Sequence, residues 1–249
     1  MAAAFPDCRH LLDVIGSELC GICGSQHGAK GVMIEVRGCA IHQRCAAAAF
    51  ETIRRTEICS TCRDFKGNWL METEKSHDRR TREGWFERYV REPIIDIGCS
   101  NDPLTPSAFK YDRIHGGGDA TFCQDVESES YQTAYASHIL EHVHHPLTAI
   151  QNWVRILTLG GRLIVVVPHR DLYEKRQLLP SRWNEDHKSF WLPFTFDPPN
   201  TFSLLDTVRQ AVPSLTIESV RVLDDGWVSN GDDHSCGEYS IELVARKAA

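Results

Sequence analysis

Ile94-Ile95-Asp96-Ile97-Gly98 is the run that most narrows the folds open to this chain. A short stretch of β-branched residues, closed by glycine and followed by Cys99-Ser100-Asn101-Asp102-Pro103, reads as a buried strand ending in a tight turn. Such a strand opens the ligand crevice of a doubly wound α/β sheet at its carboxyl end. The pieces that follow come in the order this sheet requires. Lys110-Tyr111-Asp112 closes a second strand with an acid, and Tyr135-Ala136-Ser137-His138-Ile139-Leu140-Glu141-His142-Val143 gives another strand and its exit. Pro146 then starts an amphipathic helix on Ile150, Trp153, Val154 and Leu157, and Gly160-Gly161 turns the chain into the apolar strand Leu163 to Val167. That strand is far short of the roughly 18 apolar residues a membrane helix needs.

The acids have distinct uses in such a crevice. A carboxylate at Asp112 can accept hydrogen bonds from both hydroxyls of a ribose, and Asp125, in Cys123-Gln124-Asp125-Val126, suits the exocyclic amine of an adenine. Taken together, residues 94–169 resemble the core of class I S-adenosylmethionine-dependent methyltransferases, of the type 11 kind. The resemblance rests on Asp-Ile-Gly-Cys, Ser-His-Ile-Leu-Glu-His-Val and Leu-x-x-Gly-Gly-Arg-Leu-Ile-Val-Val-Val-Pro. It implies a mainly parallel, doubly wound seven-stranded sheet of the Rossmann-like sort. It also implies that Asp96, Gly98, Cys99 and Ser100 shape the methionine end of the cofactor site, that Asp112 holds the ribose, and that Asp125 with Val126 frames the adenine. Ser137 and His138 would line the cofactor from the fourth strand. Ser100-Asn101-Asp102 stands where many members carry further glycines. A dehydrogenase of similar layout would show Gly-x-Gly-x-x-Gly at the first turn, and that spacing is absent.

Beyond Pro168 the chain turns polar and aromatic, and a lid is expected over about 169–200. Asp-Leu-Tyr-Glu, Pro-Ser-x-x-Asn-x-Asp-His-Lys and the terminal Gly-Glu-Tyr-Ser-Ile-Glu-Leu-Val-Ala-Arg-Lys extend the resemblance to about 94–247, toward a subgroup linked to glycan or other small-molecule pathways. Methyl transfer from a sulfonium is an in-line displacement that gains from a nearby base. Histidine has the appropriate range, and His142, His169 and His187 are the candidates, with Glu141, Asp186 and His234 in support. Trp183, Phe190, Trp191, Phe194 and Phe196 either stack on an acceptor or pack the lid.

Seven of ten cysteines lie between Cys8 and Cys62. Cys20, Cys23, Cys39, His42, Cys45, Cys59 and Cys62 have the close pairing of tetrahedral zinc ligands, and resemble a RING or other treble-clef module. Seven ligands are one short of two closed sites; Cys8, His10 or His27 could supply the eighth, or the module holds a single ion. The expected organisation is a zinc module over 1–64, a helical linker over 65–92 and a methyltransferase domain over 93–249. In the linker, Trp85, Tyr89 and Phe86 mark a packed side, and Arg79, Arg80 and Arg82 a solvated one.

Residues 1–92 are near neutral, whereas the rest carries 13 basic against 21 acidic side chains and so accounts for the chain's net charge of -7. An acidic body argues against a phosphate backbone as the main partner. Neither a signal peptide nor a membrane span is expected, and the predicted location is cytoplasmic. The reading that follows is a methyltransferase acting on a hydroxyl or amine of a small molecule or glycan precursor, with S-adenosylmethionine and zinc bound. The zinc module would serve structure, docking to a protein partner or self-association. Two alternatives stay open: an RNA methyltransferase that grips RNA with its zinc module, and a non-catalytic zinc adaptor that senses S-adenosylmethionine.

Overall fold

The computed structural model describes residues 72–227 and 237–248, together with the backbone of two short strands near the N-terminus. The chain divides into two compact units, Met1–Leu70 and Met71–Ala249. In the first, β1 (Met33–Val36) and β2 (Cys39–His42) pair antiparallel, with Val36 opposite Cys39. The remaining expected zinc ligands, and the side chains of Cys39 and His42, lie outside the described residues, as does His234.

The second unit is built on a six-stranded sheet. Its elements are α1 (Glu72–Arg82), α2 (Trp85–Tyr89), β3 (Ile94–Ile97), β4 (Phe109–Tyr111), β5 (Tyr131–Ser137), α3 (Pro146–Arg155) and β6 (Leu157–Pro168). After these come β7 (Phe190–Leu192), β8 (Thr201–Ser203), α4 (Leu204–Ala211), β9 (Thr216–Leu223) and β10 (Ser240–Arg246). The sheet order is β4-β3-β5-β6-β10-β9. β4, β3, β5 and β6 are mutually parallel, and β10 runs antiparallel to both of its neighbours.

This architecture is Rossmann-like but smaller than expected: six strands stand in the main sheet of the described residues where seven were predicted. Between β4 and β5 the chain makes turns and one short 3-10 helix, Arg113–His115, but no α-helix. The link from β3 to β4, residues 98–108, is also helix-free, so α1 and α2 cover that face instead.

Because side chains alternate across a strand, each central strand feeds two cores. Ile95 and Ile97, Ala134 and Ala136, Leu163, Val165 and Val167, and Ile241, Leu243 and Ala245 face α3 and α4. Those helices answer with Ile150, Trp153 and Val154, and with Leu204 and Val208. The other face presents Ile94, Tyr135, Ile164, Val166 and Val244 to Trp85 and Tyr89. Leu157, expected in the helix, instead starts β6, whose backbone bends at Gly160 (φ 77°).

The segment read from sequence as a linker therefore holds, from residue 72 on, two helices packed on the sheet. The packed side of α1 is polar: Thr73, Ser76, Arg79 and Arg80 are buried. Arg80, 1% exposed, donates to Glu242 at 3.0 Å and to the Tyr135 hydroxyl at 3.0 Å, and Trp85 Nε1 donates to the other Glu242 oxygen at 2.9 Å. Arg79 makes two hydrogen bonds to Glu238, at 2.7 and 2.9 Å, and Ser76 adds a third at 2.8 Å. The expectation of a solvated face holds for Arg82, but Arg79 and Arg80 are structural charges neutralised by acids at β10. Neither Cys99 nor Cys123 is paired, and both are buried. No helix among the described residues is long and apolar enough to cross a membrane.

Removing one member of a buried pair leaves the other uncompensated, which costs about 3–5 kcal/mol. Glu242→Gln should destabilise the protein on that scale in urea unfolding, whereas Arg82→Ala, at an exposed pair with Asp225, should change it by less than about 0.5 kcal/mol. Equal, small effects at both positions would remove the anchoring role.

Candidate functional site

From β3 the chain moves outward to β4, and from β5 it moves the opposite way to β6, so the gap between β3 and β5 is the topological switch point of the sheet. A crevice of about 650 Å³ opens there at the carboxyl ends of the strands. Gly98 forms part of its floor with φ 75°, and a Cβ at this position would come within 2.8 Å of the Ile139 side chain. Only glycine allows both that backbone conformation and that approach of the two strand exits.

Tyr111, Asp112 and Arg113 form one wall. Asp112 Oδ2 accepts from the Ser100 amide at 2.9 Å and Oδ1 from the Ile114 amide at 3.0 Å. One carboxylate thus pins the loop after β3 to the turn after β4, and each oxygen keeps accepting capacity for a second donor. Ser100 itself has φ 49°, and its carbonyl bonds to His115 Nε2 at 2.6 Å.

The structure places the other expected cofactor residues unevenly. His138 lines the crevice, with φ 52° and Nε2 2.9 Å from the Ser240 hydroxyl. Burial holds its pKa down at about 4, so the ring is neutral near pH 7. The Ser137 hydroxyl is buried beside it with no hydrogen-bond partner. Asp96 and Cys99 lie behind the wall. Asp96 Oδ2 accepts from the Leu104 amide at 2.6 Å and organises the loop, and burial pushes the Cys99 thiol up to about 12, which suits packing and not nucleophilic attack. Asp125 is exposed and outside the lining, accepting a short hydrogen bond from the Tyr111 hydroxyl, while Val126 packs into the core. A Cβ on Gly118 would strike both Tyr111 Oη and Asp125.

The residues that do line this edge are Asp119, Ala120, Thr121 and Phe122. Asp119 Oδ1 accepts from the Thr121 amide at 2.7 Å, and Phe122 is 44% exposed. An exposed aromatic ring beside an acid in a crevice suits a flat heterocycle. Sequence reasoning passed over this group; an acid directly after three glycines, followed by an aromatic, is the signal that could have found it.

The far end of the crevice is formed by His142 to His145 and by Asp186 from the 169–200 segment. Lys188 N donates to Glu141 O at 2.7 Å, which ties that segment to the exit of β5. His142 Nδ1 lies 2.9 Å from Asp186, and the His187 ring stands edge-on to the His142 ring at 4.9 Å. Buried His187 in turn places Nδ1 2.5 Å from Glu174, which also accepts from Ser181 at 2.6 Å. Burial and the neighbouring His187 lower the His142 pKa against the pull of Asp186, and burial pushes the Glu141 carboxyl well above its ordinary range. Tyr173 stacks between His187 and Tyr239, and Tyr239 reaches Glu72 and Lys75 in the first turn of α1.

His169 is not brought to this cluster. Its Nδ1 accepts from the Asp171 amide at 3.1 Å and caps the helical turn Arg170–Glu174. Arg170 fastens that turn through Asp171 and Asp197, each at 2.7 Å. Of the lid aromatics, Phe190 and Trp191 are core, whereas Phe194 and Phe196 are exposed.

No family model matches the chain, and no curated protein matches it either. Several solved structures match part of the chain at low identity. A methyltransferase from Thermotoga maritima, described as a possible histamine N-methyltransferase, is 17% identical over 72% of this chain and 100% of its own, with a TM-score of 0.42. A methyltransferase from Aquifex aeolicus is 10% identical, covers 71% of this chain and 99% of its own, and has a TM-score of 0.41. The [4+2]-cyclase SpnF is 16% identical, with coverages of 68% and 80% and a TM-score of 0.43. Likenesses this distant carry neither an activity nor a substrate to this chain.

Burial also raises the Asp96 pKa, to about 7. The folded state then holds a proton that the unfolded chain has released, so its stabilising effect is complete below about pH 4 and is lost as pH rises through 7. Asp96→Asn keeps an acceptor for Leu104 and should abolish this loss, which is on the order of a few kcal/mol between pH 4 and 8. Urea unfolding across that range reads it; parallel profiles for both proteins would contradict the assignment.

Proposed function

We propose that the crevice binds S-adenosylmethionine and that the protein transfers its methyl group to a hydroxyl or amine of a small molecule or glycan precursor. The observation that carries this reading is Asp112: a carboxylate at the carboxyl end of the second strand, fixed by two backbone amides, on the crevice wall at the switch point. The residues present fit the cofactor. Asp112 offers acceptors to a vicinal diol, Phe122 with Asp119 offers a face and an edge to adenine, and neutral His138 stands at the opposite side.

When bound, S-adenosylmethionine supplies a methyl group activated on a positively charged sulfur. The chain's own part is to orient and to manage protons. Asp112, Asp119 and Asp186 give the crevice an acidic lining that favours a cation. The acceptor lone pair attacks the methyl carbon in line, the C–S electron pair stays on sulfur, and the acceptor releases its proton. His142 lines that end with Nδ1 engaged by Asp186, and buried His187 packs against it with Nδ1 engaged by Glu174.

The N-terminal module is proposed to bind zinc through Cys20, Cys23, Cys39, His42, Cys45, Cys59 and Cys62, and to serve structure, docking or self-association. A cytoplasmic site of action belongs to the same proposal.

Asp112→Ala removes a charged acceptor for two hydroxyls and should weaken S-adenosylhomocysteine by about 30-fold or more in calorimetric titration, since such bonds contribute about 1.5–3 kcal/mol. Unchanged affinity would overturn the ribose assignment. Incubation with methyl-labelled S-adenosylmethionine and fractionated host extract should place the label in the small-molecule or glycan fraction; label in RNA would favour the RNA alternative, and label nowhere the adaptor.

A further inference from the structure

Glu141 is the side chain in this region that its surroundings explain least. It is 0% exposed, and neither carboxylate oxygen has a hydrogen-bond partner. A buried carboxylate without partners is costly whether ionised or protonated, because its polar atoms forfeit water and gain nothing. What surrounds it is imidazole: His138 Nδ1 lies 3.7 Å from Glu141 Oε1, beyond hydrogen-bond distance, and His142 and His187 stand on the crevice side. His142 Nε2 lies 3.8 Å from Glu141 Oε1, and one ligand atom from each of Glu141, His142 and His187 can be chosen so that all lie within 4.8 Å of one another.

Each crevice-side imidazole is oriented by a separate carboxylate, His142 by Asp186 and His187 by the buried Glu174, and both through Nδ1. An Nδ1–H held by a carboxylate fixes the tautomer and turns an unprotonated Nε2 outward. This is the support that metal-ligating histidines generally have. A structural role alone accounts for one His–carboxylate pair; it does not account for two such pairs flanking an unpartnered third carboxylate.

We propose that Glu141, His142 and His187 bind one divalent first-row transition cation at the acceptor end of the crevice. Two nitrogens and one oxygen favour Zn²⁺, Mn²⁺ or Fe²⁺ over Mg²⁺ or Ca²⁺. Around a tetrahedral ion with bonds of ~2.1 Å the ligand atoms stand roughly 3.4 Å apart, so the set closes by side-chain adjustments of about an ångström. Three protein ligands leave a position open, and His142 and Asp186 both line the crevice, so that position faces the bound acceptor.

The cation's role rests on the methyltransferase reading. It selects an acceptor that presents a hydroxyl: coordination of that oxygen eases loss of its proton to water beside the exposed Asp186, and the resulting alkoxide attacks the methyl carbon. His142 and His187 then act as ligands and not as bases.

The full-length protein, dialysed against a weak chelator that empties nitrogen/oxygen sites but leaves thiolate-bound Zn²⁺ in place, is titrated with Mn²⁺, which thiolate sites take poorly, and free Mn²⁺ is followed by electron paramagnetic resonance. One Mn²⁺ per chain is expected. His187→Ala and Glu141→Gln should each weaken it by about 30-fold or more, and Glu174→Gln by about 10- to 100-fold, with circular-dichroism melts identifying the variants that fold. No saturable Mn²⁺ site in the wild type, or full affinity in folded His187→Ala, overturns the proposal. S-adenosylhomocysteine titrated in parallel separates the two readings: its binding without a Mn²⁺ site overturns the cation alone, and a Mn²⁺ site without its binding supports the cation while removing the role given to it.

Discussion

The buried pair between Arg80 and Glu242 is the constraint on which the rest of this structure depends. Alternation along β10 sends Ile241, Leu243 and Ala245 to one core and leaves Glu242 on the other side of a strand buried from Ser240 to Ala245. A carboxylate there demands a cation, and α1 supplies it, with Tyr135 accepting a second bond from the guanidinium and Trp85 donating to the other carboxylate oxygen. Buried charge of this kind adds little net stability over an apolar contact. Its effect here is positional. A helix as polar as Glu72–Arg82 has no apolar stripe to fix its register, and Arg79 and Arg80 fix it by pairing with Glu238 and Glu242.

That register reaches the site. The Glu74 amide donates to Asp102 in the loop after β3, and Glu72 meets Tyr239, which stands against His138 and Tyr173. The helix face, the loop that begins at Gly98 and the histidine end of the crevice are thus held by one continuous set of polar contacts. Hydrophobic packing of α3 and α4 shapes the opposite face and leaves the crevice mouth to polar residues, which is the division expected where a rigid sheet supports chemistry at its strand ends.

Much of this was legible in the sequence because it depends on local patterns. The Ile94–Gly98 run, the strand through Tyr135 and Ser137, and the Gly160-Gly161 turn each declare themselves by periodicity or by a glycine, and Asp112 sits where a strand must end. Long-range pairing was not legible. Arg79 and Arg80 read as a solvated face because their partners lie about 160 residues away, and Asp125 read as an adenine contact because its bond to Tyr111 depends on how the Gly116-Gly117-Gly118 turn folds. His187 was singled out as a base, but the Glu174 beneath it and the orphaned Glu141 beside it emerge only when the 169–200 segment is laid over the exit of β5.

The central claim is that an adenosyl ligand occupies the gap between β3 and β5 against Asp112. Hydrogen–deuterium exchange of the full-length protein, with and without saturating S-adenosylhomocysteine, tests the claim directly. The account predicts slowed exchange in three separate stretches, 98–101, 111–122 and 138–145, with the α4 region unchanged. Unaltered exchange in all three, or protection confined to another part of the protein, would contradict it.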